Sequence, residues 1–188
     1  MNSKLNETLS KLIHNYYKMK ELIIDNDDGS ITVYGDVTIT NPDMWNVNGR
    51  LPVQFHKIDG DFNCTSRQLN SMAGCPQIVL GNFYFSGNNA TDLIGGPEKV
   101  LGDYSCYSNP LTSLDGLPKT SPKLFTISYS KTLPLLRLVA FDKISFGGGA
   151  RSVQRIMNRH VGKKPVRQAI IQCQRELIDA GLAENAAL

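Results

Sequence analysis

Between Leu80 and Pro122 the apolar positions recur every 21 residues. In Leu80-Gly81-Asn82-Phe83-Tyr84-Phe85-Ser86-Gly87-Asn88-Asn89-Ala90, apolar side chains hold the first, fourth, sixth and last positions and Asn the ninth. Leu101-Gly102-Asp103-Tyr104-Ser105-Cys106-Tyr107-Ser108-Asn109-Pro110-Leu111 repeats the pattern. The apolar-x-apolar core of each copy predicts a short strand with two side chains facing inward. Gly60, Gly81 and Gly102 keep the same step, and each repeat returns on Gly-x-Pro, at Gly74-Cys75-Pro76, Gly95-Gly96-Pro97 and Gly116-Leu117-Pro118. A fixed period of this length predicts a solenoid, because one repeat cannot bury its apolar face alone and must stack on its neighbours.

The weaker copies extend the array. Tyr34-Gly35-Asp36-Val37-Thr38-Ile39 predicts a first rung that lies 25 residues before the next, so a loop or wider convex side is expected around Asn41 to Arg50. Asp59 to Leu69 forms the second rung and places Arg67 in the Asn slot; a fifth, degenerate rung starts at Pro122 with Phe125 and Ile127 in the strand positions. The inward pairs are then Val37/Ile39, Phe62/Cys64, Phe83/Phe85, Tyr104/Cys106 and Phe125/Ile127. Asn88 and Asn109 are expected to satisfy backbone groups where the strand bends away, as a ladder of side-chain amides.

Outside the array the rhythm changes to that of helices. Leu5, Leu9, Leu12, Ile13 and Tyr16 share one helical face, which predicts a capping helix from Asn2 to about Lys20. Leu22-Ile23-Ile24 and Ile31-Thr32-Val33 flank Asp27-Asp28-Gly29 and predict a hairpin. After the fifth rung the period is lost, and Leu133 to Phe141 reads as a buried transition out of the solenoid. Gly147-Gly148-Gly149 reads as a linker. Beyond it, Val153, Ile156, Met157 and His160 mark one helix, and Val166, Ala169, Ile170, Cys173 and Leu177 mark a second that starts near Pro165 and ends at Gly181. The organisation is therefore an N-terminal cap over 1–33, a solenoid over 34–132 and a C-terminal helical hairpin over 133–188.

Composition adds a charge asymmetry. Residues 1–130 carry ten Lys/Arg and thirteen Asp/Glu, for −3, whereas 131–188 carry ten and four, for +6. Arg151, Arg155 and Arg159 are spaced by four and share one side of the first C-terminal helix, with Lys163, Lys164 and Arg167 following. Such a stripe is a solvated helix face, a nucleic-acid contact or a contact for an acidic protein patch. No aromatic residues interleave it, which argues against single-strand binding. The four cysteines have no C-x-x-C spacing, and Cys64 and Cys106 stand two rungs apart, ~10 Å, beyond disulfide reach. They read as small core residues of a reduced protein.

Catalytic signals are sparse. His14, His56 and His160 have no H-E-x-x-H or Cys/His partner, and no phosphate-binding Gly-Lys-Ser/Thr follows the triple glycine. There is no Ser nucleophile elbow. The expectation is a protein without catalytic activity, cofactor or metal. No stretch approaches the ~18 apolar residues of a membrane span, and the first residues carry no charged-then-apolar leader pattern. A soluble, cytoplasmic protein is expected.

The repeat has the L-x-x-L-x-L-x-x-N-x-L form of a leucine-rich repeat, and the fold class expected is an α/β repeat, a short leucine-rich-repeat solenoid of about five parallel strands. The run Gly102-Asp103-Tyr104-Ser105-Cys106-Tyr107-Ser108-Asn109-Pro110-Leu111-Thr112-Ser113-Leu114-Asp115-Gly116-Leu117-Pro118 resembles short leucine-rich-repeat proteins encoded by tailed bacteriophages, and so does the ending Leu133-Pro134-Leu135-Leu136-Arg137 followed by a basic helix and Cys173 to Gly181. The resemblance covers roughly residues 30–188 and implies a phage protein that binds a host protein in the bacterial cytoplasm, with inhibition as one use of that binding. It implies no catalytic residues. Two other roles remain open: a nucleic-acid-associated protein using the basic helices, and a virion structural component. The outward strand face is the expected protein-binding surface, with Asp61, Asn63, Asn82, Tyr84, Asp103, Ser105, Tyr107 and Thr126 as contact residues and the two tyrosines as anchors. Asp36, Asp61 and Asp103 have a second reading as turn residues after glycine.

Overall fold

The computed structural model describes residues 19–24, 28–39, 48–148 and 150–188. They form a parallel β-solenoid of about five turns, mostly of about 21 residues, followed by two helices. The expected capping helix falls outside the described residues apart from Met19 and Lys20, which belong to a strand. Most of the loop expected at 41–50 also lies outside them.

The first four turns contribute a strand to each of two sheets, and the turns after them a strand to one. Strands β1 (Met19–Ile24), β2 (Ile31–Gly35), β4 (Phe55–Ile58), β6 (Ile78–Val79) and β8 (Lys99–Val100) form one sheet in that order. Strands β3 (Val37–Thr38), β5 (Phe62–Asn63), β7 (Phe83–Tyr84), β9 (Tyr104–Ser105), β10 (Phe125–Ser128) and β11 (Ile144–Gly147) form the other, entirely parallel. The hairpin expected between residues 22 and 33 is present as the antiparallel pair β1–β2. The repeats thus carry strands on both sides, with a sheet on the return segment as well as on the outward face.

The core follows the predicted register. Val37 pairs with Phe62, Phe62 with Phe83, Phe83 with Tyr104, Tyr104 with Phe125 and Phe125 with Ile144. All five inward pairs are buried. Their rings form a column: Phe62 and Phe83 stack at 5.8 Å, Phe83 meets Tyr104 at 4.8 Å, and Tyr104 meets Phe125 at 5.1 Å. Each fully buried ring contributes roughly 2–3 kcal/mol of apolar transfer. The Tyr104 hydroxyl donates to the Met72 sulfur at 3.3 Å, which gives its one polar atom a partner inside the column.

Glycines fit where backbones come closest. Gly81 donates its N–H to the Gly60 carbonyl, and Gly102 to that of Gly81, both at 2.9 Å; a Cβ on Gly81 would lie 2.6 Å from the Gly60 carbonyl group. On the return side, Gly74, Gly95 and Gly116 have φ of 91, 84 and 89°, left-handed values that turn the chain ahead of each proline.

The ladder does not end at the fifth rung. Residues 133–141 are the buried transition expected, with a 3₁₀ turn at Leu135–Leu138, but the chain then adds β11 as a sixth strand beside β10. Gly147 belongs to this strand, so part of the expected linker is sheet. The exposed edge of β11 is closed by a side chain rather than another strand. Gln154 accepts the Phe146 N–H at 2.7 Å and donates to the Ile144 carbonyl at 3.1 Å, copying the bonds of a neighbouring rung. Gln154 sits on helix α1 (Arg151–His160), which packs against α2 (Val166–Asp179). Val153, Ile156, Met157 and His160 are buried on α1, and Ala169, Cys173 and Leu177 on α2, as the periodicity predicts. Gly181 ends α2 at φ 74°, and the Leu182 N–H reaches back to the Leu177 carbonyl at 2.8 Å.

Candidate binding surface

The bends are held by side-chain amides. Asn88 Nδ2 donates to the carbonyls of Cys64 at 3.0 Å and Phe85 at 2.9 Å, while its Oδ1 accepts the N–H groups of Arg67 and Leu69. Asn109 repeats this with Phe85 and Cys106, and its Oδ1 accepts the Ala90 N–H. Arg67, in the same slot one rung earlier, sends its Nε–H to the Ile39 carbonyl. At the far end, Asn185 of the C-terminal 3₁₀ turn donates to the carbonyls of Ser130 and Leu133 and accepts from the Tyr129 hydroxyl at 3.0 Å. These bonds make the strand face a rigid platform.

The outward side chains lie in rows across that platform. Thr38, Asn63, Tyr84, Ser105, Thr126 and Ser145 occupy one register row, and the row begins and ends on small polar residues. With strands ~4.8 Å apart, six rungs span ~24 Å. Tyr84 is half-buried in the middle of this row. Burial first, then the carboxylates of Asp61 and Asp103, push its hydroxyl above its ordinary range, so it stays a neutral donor. Tyr107 is 45% exposed two residues beyond Ser105, with its side chain against Gly147 of the sixth rung. Ser86, in the Tyr107 position one rung earlier, is buried and shares a hydrogen bond of 3.0 Å with Ser105.

The acidic column has a scaffold role. Asp36 accepts the Asp61 N–H at 2.9 Å, Asp61 accepts the Asn82 N–H at 2.7 Å as well as its side-chain amide, and Asn82 accepts the Asp103 N–H at 2.8 Å. The carboxylate bonds of Asp36 and Asp61 run from one rung to the next, across 25 and 21 residues of chain. Leu124 follows Asp103 in the column and brings no side-chain acceptor to the rung after it. Asn63 accepts the Thr65 N–H at 3.0 Å and fixes the strand exit.

The basic residues lie on the hairpin, away from this row. Arg151, Arg155, Arg159, Lys163, Lys164 and Arg167 are all exposed. Arg159 is engaged by an acid from the other helix: its Nε and Nη2 donate to Glu176 Oε2 at 2.9 and 2.6 Å. This bond holds the Glu176 carboxyl below its ordinary value. For Arg151, Arg155, Lys163, Lys164 and Arg167, no ion pair occurs among the described residues. Sequence reading missed Gln154 and Asn185, whose partners lie far along the chain, and it missed Ser145 and the sixth rung, for which Ile144-Ser145-Phe146 repeats the apolar-x-apolar signal of Phe125-Thr126-Ile127.

Among the described residues no group of three His, Cys, Asp or Glu side chains is placed to hold a metal ion, and no helix is long and apolar enough to cross a membrane. Comparison of the chain with protein-family models, curated proteins and solved structures gave no match.

Proposed function

We propose that the protein is a non-catalytic binding module that captures a partner protein on the outward strand face, with Tyr84 and Tyr107 as its anchors. The observation that carries this reading is the register row Asn63, Tyr84, Ser105 and Thr126, with the exposed Tyr107 ring beside it. A rigid face orders few groups on binding, so less interaction energy is lost to entropy. Aromatic rings with a polar tip are the side chains that most often dominate such interfaces. The resemblance of the repeats and of the C-terminal segment to leucine-rich-repeat proteins of tailed phages supports a host protein as the partner and inhibition as the outcome. Replacing Tyr84 and Tyr107 together with Ala tests it. Thermal stability should stay nearly unchanged while partner capture weakens by about 2 kcal/mol or more; capture unchanged in a pull-down would place the interface elsewhere.

A second reading, contact with nucleic acid, is favoured by Arg151 and Arg155, exposed on one side of α1. Reversing both to Glu would then reduce the salt slope of DNA affinity by about 2 units, since each phosphate contact adds about 0.9.

A further inference from the structure

Helix α2 presents to solvent a face that the packing of the hairpin leaves uncovered. Ile171 is 43% and Ile178 50% exposed, and they are seven residues apart. At 1.5 Å per residue they stand ~10.5 Å apart along one side of the helix. Arg167 and Arg175 lie four residues before and after Ile171 on the same side. Together with Pro165, Gln168 and Gln172 they line an open depression of about 450 Å³. Pro165, Gln168 and Gln172 also line a second depression of about 330 Å³, on whose other side stand Lys163 and Lys164. The two hollows share a ridge, so the apolar strip has cations on both flanks.

We propose that this face docks an acidic amphipathic helix of a partner protein. Its apolar residues seat on Ile171 and Ile178, and its carboxylates meet Arg167, Arg175, Lys163 and Lys164. Charge complementarity selects an acidic occupant, because Lys163, Lys164, Arg167 and Arg175 make no ion pair among the described residues, while Glu176 is taken up by Arg159. The isoleucines select a protein. Two half-exposed apolar side chains gain nothing from a phosphate backbone, whereas burial against the apolar side of a partner helix removes their surface from water. The surface is separate from the strand face and does not depend on Tyr84 or Tyr107.

The test uses the full chain and a fluorescent helical peptide of about 18 residues, Leu at i, i+4 and i+7 and Glu on the flanks, titrated by anisotropy. Saturable binding that weakens with added salt is expected. Ile171→Gln with Ile178→Gln should reduce affinity about tenfold or more, Arg167→Glu with Arg175→Glu should abolish it, and Lys99→Glu on the return side of the solenoid should change it less than about twofold. All of these positions are exposed, and circular dichroism confirms the fold of each variant. The proposal is overturned by absence of saturable binding or by affinity indifferent to the two isoleucines. It is also overturned if a DNA duplex or phosphatidylglycerol vesicles bind this face more tightly than the peptide does.

Discussion

Arg67 donates its Nε–H to the Ile39 carbonyl, the bond that Asn88 makes to Cys64 and Asn109 to Phe85 from the same slot in the rungs that follow. An arginine thus continues the ladder of the two asparagines. A bend carbonyl left without its donor costs about 1–3 kcal/mol. Arg67→Ala should therefore destabilise the fold by about that amount in a urea titration, while Arg67→Asn, which restores the amide of the other rungs, should cost less than about half as much. Equal losses for the two variants would show that the bond does not hold the bend.

The aromatic column makes the core continuous from rung to rung. Phe85 is fully buried and its ring stacks on Phe83 at 6.3 Å. Phe85→Ala should cost about 3–5 kcal/mol, because a close-packed interior relaxes only partly around the cavity. A denaturant melt showing a loss below about 1 kcal/mol would contradict the register.

Much of this architecture was legible in the sequence. The inward pairs, the Asn slot and both C-terminal helices follow from a period that burial imposes: a residue that fails to face inward in one rung breaks stacking in two. The return-side strands of the other sheet were not legible, because Ile78–Val79 and Lys99–Val100 each bury a single side chain and show no apolar-x-apolar signal. The sixth rung was hidden by its spacing. Ile144 lies 19 residues after its partner Phe125, off the step of 21 that joins the rungs before it. At the candidate surfaces, the positions of Tyr84 and Tyr107 were readable from strand alternation, and the helical period that turns Ile170 inward leaves Ile171 outward.

Thiol chemistry gives an alkaline signature. Cys173 is pushed up from its ordinary 9.0 to about 11, first by burial and then by the Glu176 carboxylate, and burial also raises Cys64 and Cys106. The folded state holds these protons more tightly than the unfolded chain. Their stabilising contribution is complete below pH 9 and declines as pH rises from there through the folded-state values. Urea midpoints should fall between pH 9 and 11, and Cys173→Ala should make that fall shallower. A flat profile across this window would contradict the burial of the thiols.

A partner held on the strand face is captured by a photo-crosslinking amino acid placed at Tyr107. The same group at Ile94, 59% exposed on the return side of the solenoid, is the control. In bacterial lysate one discrete adduct is expected from position 107 and none from position 94. Adduct formation at 94 with none at 107 would place the partner on the return side and rule out the strand face.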